Sequence, residues 1–146
     1  MNVNDNKIRI FIASDHAGYL LKRFILQQMN KYDICNKGCN SLFNVDYPDY
    51  AHIVANAITN NLCDIGILIC STGIGMSIVA NRYQSIRAAL CHNLESVSLA
   101  RKHNNANVLC IGAKFIDSKL AINMVEAFIK TDFDAGRHLI RVQKYN

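Results

Sequence analysis

Apolar residues along this chain fall into two alternating rhythms. Short continuous runs occur at Ile8 to Ala13, weakly near Ile34, and at Ile65 to Cys70, Ala88 to Cys91 and Val108 to Ile111. Between them, apolar positions recur at helical spacing: Leu20, Leu21, Phe24, Ile25 and Met29; Ala51, Val54, Ala55 and Ile58; Leu120, Met124, Val125, Phe128 and Ile129. Strands that are apolar without alternation are covered on both faces. The order therefore predicts an α/β protein, a three-layer αβα Rossmann-like arrangement around a five-stranded parallel sheet. With one proline, no low-complexity stretch and no linker, residues 1–146 read as a single domain.

In such a sheet, ligands sit beyond the carboxyl ends of the strands. The residues after each run are therefore site candidates: Ser14 to Gly18, with Asp15 and His16; Asp46, Tyr47 and Pro48; the loop from Cys70; Cys91 and His92, whose helix leads to Arg101, His103 and Asn104; and Gly112 with Lys114. Read this way, acid, base, thiol and cation groups all fall on one rim. The segment Ile67 to Gly75 says most, because a buried strand runs straight into Cys70, Ser71, Thr72, Gly73, Ile74 and Gly75. Its glycines allow close backbone approach, and the run Ile74 to Ala80 predicts a helix whose free N–H groups attract negative charge. From the loop alone, Cys70 is either a base or a small core hydrophobe. Asp15 is either a ligand or the N-cap of the first helix, and His103 is either functional or a helix-end histidine facing the dipole. His52 and His92 read as surface or packing residues. Arg137, His138 and Arg141 form a small cationic cluster, and two neighbouring arginines suit a phosphate.

Composition narrows the class. A chain that is 51% hydrophobic and 18% charged describes a soluble compact protein leaning apolar, and apolar surface in excess of the core predicts an oligomer. The net charge of +5 is scattered, with only Lys22-Arg23 and Arg101-Lys102 adjacent, which argues against nucleic acid and suits a phosphorylated small substrate. The polar start, Met1 to Lys7, and the short apolar run after it predict neither a signal peptide nor a membrane span, and so a cytoplasmic protein. Six cysteines at 35, 39, 63, 70, 91 and 110 make no C-x-x-C pair, so free thiols are expected. Cys35 and Cys39 have only a weak zinc-like spacing.

Six motifs in order carry a family resemblance: Ser14-Asp15-His16-Ala17-Gly18; Asp46-Tyr47-Pro48; Cys70 to Gly75 with Ala80-Asn81-Arg82; Arg87-Ala88-Ala89; His103 to Leu109; and Gly136 to Arg141. Over nearly the whole chain this resembles the type B ribose-5-phosphate isomerases of the ribose and galactose isomerase family. The resemblance implies interconversion of ribose 5-phosphate and ribulose 5-phosphate through an enediolate, with no metal and no cofactor. It implies that Cys70 removes the C2 proton, that His103 opens the furanose ring, that Asp15 and His16 hold the sugar, and that Tyr47 and Asn104 line the pocket. Phosphate would fall to Arg137 and Arg141, with Lys114 at a position where the family commonly has arginine. Ser71 stands where the family often has glycine. Amides from Ser71 through Gly75 would stabilise the enediolate oxygen, and Thr72 would relay a proton between O1 and O2. A homodimer or tetramer with sites between subunits is also implied. Isomerases of allose or galactose 6-phosphate share the pattern. A non-catalytic phosphate- or nucleotide-binding module is disfavoured, because no strand is followed by G-x-G-x-x-G or G-x-x-x-x-G-K-[ST].

Overall fold

The computed structural model describes residues 7–145. The chain runs β1 (Ile10–Ser14), α1 (Tyr19–Gln28), β2 (Ile34–Asn36), α2 (Tyr47–Thr59), β3 (Ile65–Cys70), α3 (Ile74–Ala80), β4 (Ala88–Leu90), α4 (Leu94–Asn104), β5 (Val108–Gly112), α5 (Ser118–Lys130) and α6 (Gly136–Val142). All five strands are parallel, in the order β2-β1-β3-β5-β4. The predicted sheet is present, with its first strand shifted two residues toward Ser14 at the start and one at the end.

Because side chains alternate across a strand, each central strand feeds two cores. Ile65, Ile67 and Ile69 of β3 join Ile12, Leu109 and Ile111 under α1, α4 and α5. Leu68 and Cys70 join Ala13, Val108 and Cys110 under α2 and α3. Gly66 faces that second layer with no room for a side chain, since a Cβ would lie 2.5 Å from Val54. Burial of every residue of β3 and β5 explains their unbroken apolar runs.

The strand order sets the site. From β1 the chain winds outward to β2, then crosses back to β3 and winds the other way, so the β1/β3 junction is a topological switch point. Ser14 pairs in register with Ile69, which places Asp15 beside Cys70. The tail carrying Arg137 to Arg141, read from the sequence only as a cationic cluster, forms α6 and packs on α4. No helix among the described residues is long and apolar enough to cross a membrane.

Candidate active site

The loop after β3 is built around its thiol. Cys70 Sγ is almost wholly buried and accepts the Gly73 N–H at 3.1 Å. Gly73 has φ of 76°, the left-handed region in which a side chain is strained, and a Cβ there would sit 2.6 Å from Leu90 and 2.9 Å from the Ile111 carbonyl carbon. Thr72 Oγ1 accepts the Ile74 N–H at 3.3 Å. Ala113 and Lys114 donate their N–H groups to the carbonyls of Cys70 and Ser71, both at 2.9 Å, so the β5–α5 turn grips the loop. The Gly75 and Met76 amides, in the first turn of α3, have no helical carbonyl to satisfy them, and unsatisfied N–H groups at a helix start favour negative charge.

Two further elements close on this loop. Tyr47, at the start of α2 with Pro48 behind it, lays its ring against Gly75, where any side chain would collide with it. On the other side, Asp15 donates its N–H to Ile69 O at 3.2 Å and accepts the Gly18 N–H on Oδ1 at 3.0 Å. Asp15 is not the N-cap of α1: that position is Gly18, whose own N–H the Asp15 carboxylate accepts in the turn leading into the helix. His16 accepts the Val45 N–H on Nδ1 at 3.2 Å, so its neutral ring carries the proton on Nε2. Ser14 Oγ, fully buried at the same strand end, has no hydrogen-bond partner. Asp15, His16, Tyr47, Ser71, Thr72, Gly73, Ile74, Gly75 and Lys114 are therefore gathered around Cys70 at the carboxyl edge of the sheet.

Cys110, one strand over on the same face, shows what an unused thiol looks like here. Burial first, and then the neighbouring Cys70 and Cys91, push its thiol far up, which keeps it protonated.

The remaining candidates lie elsewhere, which corrects the single-rim reading. Helix α4 starts beyond the carboxyl end of β4 and runs antiparallel to the strands, so its last turn reaches the amino edge of the sheet. Since β3 has six residues, the two edges are roughly 20 Å apart. His103 and Asn104 stand at this far edge, joined there by α6 with Arg137 and Arg141. The His103 and His138 rings stack with centroids 4.1 Å apart and planes 8° from parallel. Asn104 donates from Nδ2 to the Tyr145 hydroxyl at 2.8 Å. Asn104, Tyr145, Arg87 and Asn81 line a cleft of about 350 Å³, which the sequence reading did not anticipate. Arg101 is occupied with structure: Nε donates to Thr131 O at 3.0 Å and Nη1 to Ala106 O, and burial pulls its pKa down. His92 packs edge-on against Phe115, and His52 bonds Tyr83 at 2.6 Å, in keeping with the packing reading of both.

Lys22 also escaped the sequence reading. Its ammonium is fully buried and donates to Asn36 Oδ1 at 2.7 Å and to the Cys39 carbonyl, pinning the loop whose Gly38 and Cys39 bond Ser14. The signal was present: with Ile25 and Met29 it sits at i, i+3 and i+7, a lysine in the apolar stripe.

A parallel αβα sheet with a thiol, a carboxylate, an imidazole and free amides converging at its switch point defines a small-molecule enzyme of the Rossmann-like class. Known proteins carry the assignment further. The Ribose/Galactose Isomerase family model matches residues 10–145, and the chain belongs to that family. It is 39% identical over 137 residues to ribose-5-phosphate isomerase B of Escherichia coli, covering 92% of each chain. It matches the crystal structure of the Thermotoga maritima ribose 5-phosphate isomerase with a TM-score of 0.91 and 46% identity, over 94% of this chain and 96% of that one. The Mycoplasma genitalium ribose-5-phosphate isomerase B, solved with bound ribulose 5-phosphate, matches at 0.86 and 41%, over 92% and 91%.

Proposed function

We propose that this chain is a ribose-5-phosphate isomerase, interconverting ribose 5-phosphate and ribulose 5-phosphate through a cis-enediolate. The observation that carries the reading is the Cys70 sulfur held at the β3 terminus by the Gly73 amide, under the free amides of α3 and beside Asp15. In the open-chain aldose, Cys70 takes the C2 proton. The C2–H electron pair becomes the C1–C2 double bond, and the carbonyl pair moves to O1, where loop amides meet the developing charge. Preorganised donors of this kind are worth about 2.7–4 kcal/mol each. Thr72 passes a proton between the two oxygens, and Cys70 returns its proton to C1. His16, with Nε2–H free, Asp15 and Tyr47 hold the sugar.

Ring opening needs His103, and phosphate needs Arg137 and Arg141, yet these lie about 20 Å from Cys70 in their own chain. A second copy that sets its amino edge against this carboxyl edge supplies both. Exposed apolar residues around the Cys70 loop, Phe43 (82% exposed), Ile74, Phe115 and Leu94, give that copy a surface to cover. The assembly is therefore at least a homodimer with sites between subunits. The cytoplasm suits its free thiols.

The test is proton chemistry. Incubated in deuterium oxide, the protein is expected to convert ribose 5-phosphate to ribulose 5-phosphate and to exchange the C1 proton of the ketose. Neither conversion nor exchange with any sugar phosphate would end the reading.

A further inference from the structure

Outside the Cys70 loop, His103 stacks on His138, the one stacked pair of aromatic or imidazole rings among the described residues. The ring planes are nearly parallel, 8° apart, and their centroids are separated by 4.1 Å, so the two imidazoles meet face to face. They come from different elements, His103 from the last turn of α4 and His138 from the first turn of α6. The backbone brings them together on purpose-built geometry: Asp134 N–H donates to Lys102 O at 3.1 Å, and the His138 N–H donates to Ala135 O at 2.9 Å. Nothing in the isomerisation as derived above uses His138.

We propose that His138 is a positioning residue for His103, holding its imidazole in one plane and opposing a second proton on the stacked pair during ring opening of the sugar. This rests on the reading of His103 as the ring-opening group. Two neutral imidazoles stack comfortably, but two imidazolium ions face to face repel, so a proton on one ring opposes a second on the other and the pair titrates as a unit. The other charged groups facing His138 are Arg137 and Arg141 on its own helix and Asp134 just before it. Burial first, then His103, Arg137 and Arg141 pull the His138 pKa down, against a smaller opposing pull from Asp134. A ring opener must accept the proton of the anomeric hydroxyl and donate one to the ring oxygen in a single turnover. A stacked pair that resists a second proton keeps one ring free for the accepting step, and the stack fixes which face of His103 meets the sugar.

The test uses the whole enzyme and three variants at an exposed helix: His138→Phe, which keeps the aromatic face and removes the proton, and His138→Ala and His138→Gln, which remove the stack. The first readout is independent of activity. In the native protein the His103 Cε1–H resonance is expected to titrate in two coupled steps, and in His138→Phe in one. The second readout separates ring opening from proton transfer. Ribulose 5-phosphate has no furanose form, because its C5 oxygen carries the phosphate, so solvent exchange at its C1 needs no ring opening. Conversion of ribose 5-phosphate is expected to fall about tenfold or more in His138→Ala, while C1 exchange changes less than twofold. In His138→Phe the acid limb of the conversion profile is expected to move. A single-step His103 titration in the native chain, or equal losses of conversion and exchange in His138→Ala, would overturn the proposal. An inactive native protein would instead strike the isomerase reading, and the titration experiment would still decide whether the two rings are coupled.

Discussion

Lys22 is the one fully buried cation among the described residues, and it has no carboxylate beside it, only the Asn36 amide oxygen and the Cys39 carbonyl. Desolvation outweighs the pull of the nearby Cys39 thiol and lowers its pKa to about 8. The sign of the pH dependence follows. Between about 8 and the ordinary 10.5, the unfolded chain keeps a proton that the native state has released, so the stability lost to the buried charge is recovered as pH rises through that window. Relative to Lys22→Met, the native protein is expected to gain on the order of 3 kcal/mol between those limits, and nothing below pH 7. Denaturant melts of both proteins at pH 7 and pH 10 check this. A constant difference would mean that the ammonium is not desolvated. At this scale the sequence was legible where residue type and position coincided: Cys70, Asp15, His16 and Tyr47 stand at strand or loop ends, where chemistry is looked for. It was illegible where a side chain's partner comes from afar in the chain. Lys22 meets Asn36, His103 meets His138, and Asn104 meets Tyr145, and no local spacing announces such pairs.

At the scale of elements, the five strands and the longer helices were readable because burial on both faces writes continuous apolar runs, and one-sided burial writes helical stripes. Helix α6 was not, since it buries none of its residues fully and leaves no stripe. Nor was the edge at which each candidate would stand. The rule that sites follow strands holds for the residues directly after a strand, but His103 and Asn104 end the 11-residue α4, which carries them back to the other edge of the sheet. The β3–α3 junction is where element geometry and chemistry meet most tightly. Gly73 must hold a positive φ while Leu90 and the Ile111 backbone fill the space a side chain would need. Gly73→Ala is expected to cost about 2–4 kcal/mol, from left-handed strain and overpacking together. That lowers Tm by roughly 5–15 °C. Because the same amide is the donor to Cys70, activity is expected to fall more steeply than folded fraction. Calorimetry alongside an isomerase assay at 20 °C checks the pair, and a variant with native Tm and native turnover would show that the turn tolerates a side chain.

For the whole molecule, the decisive fact is that one chain holds two incomplete sets of groups at opposite edges of one sheet. On the proposed mechanism, Cys70 with Asp15 and His16 would make the enediolate but lacks the ring opener and the arginine pair. His103 with Arg137 and Arg141 would take the phosphate and open the ring on that mechanism, but has no thiol. If the sets meet across a subunit interface, defects in each must complement. Cys70→Ala leaves every dimer without a base, and His103→Asn leaves every dimer without a ring opener, so each variant alone is expected to turn ribose 5-phosphate over slower by orders of magnitude. Refolded together in equal amounts, half of the dimers are hybrids, and each hybrid pairs one intact site with one that carries both defects. The mixture is expected to recover about a quarter of native activity. Were the groups instead to meet within one chain, no hybrid would contain an intact site and mixing would restore nothing. Activity measured against mixing ratio therefore reads the geometry of the site directly: the recovered fraction should peak at equal amounts and vanish at either end, in proportion to the product of the two mole fractions.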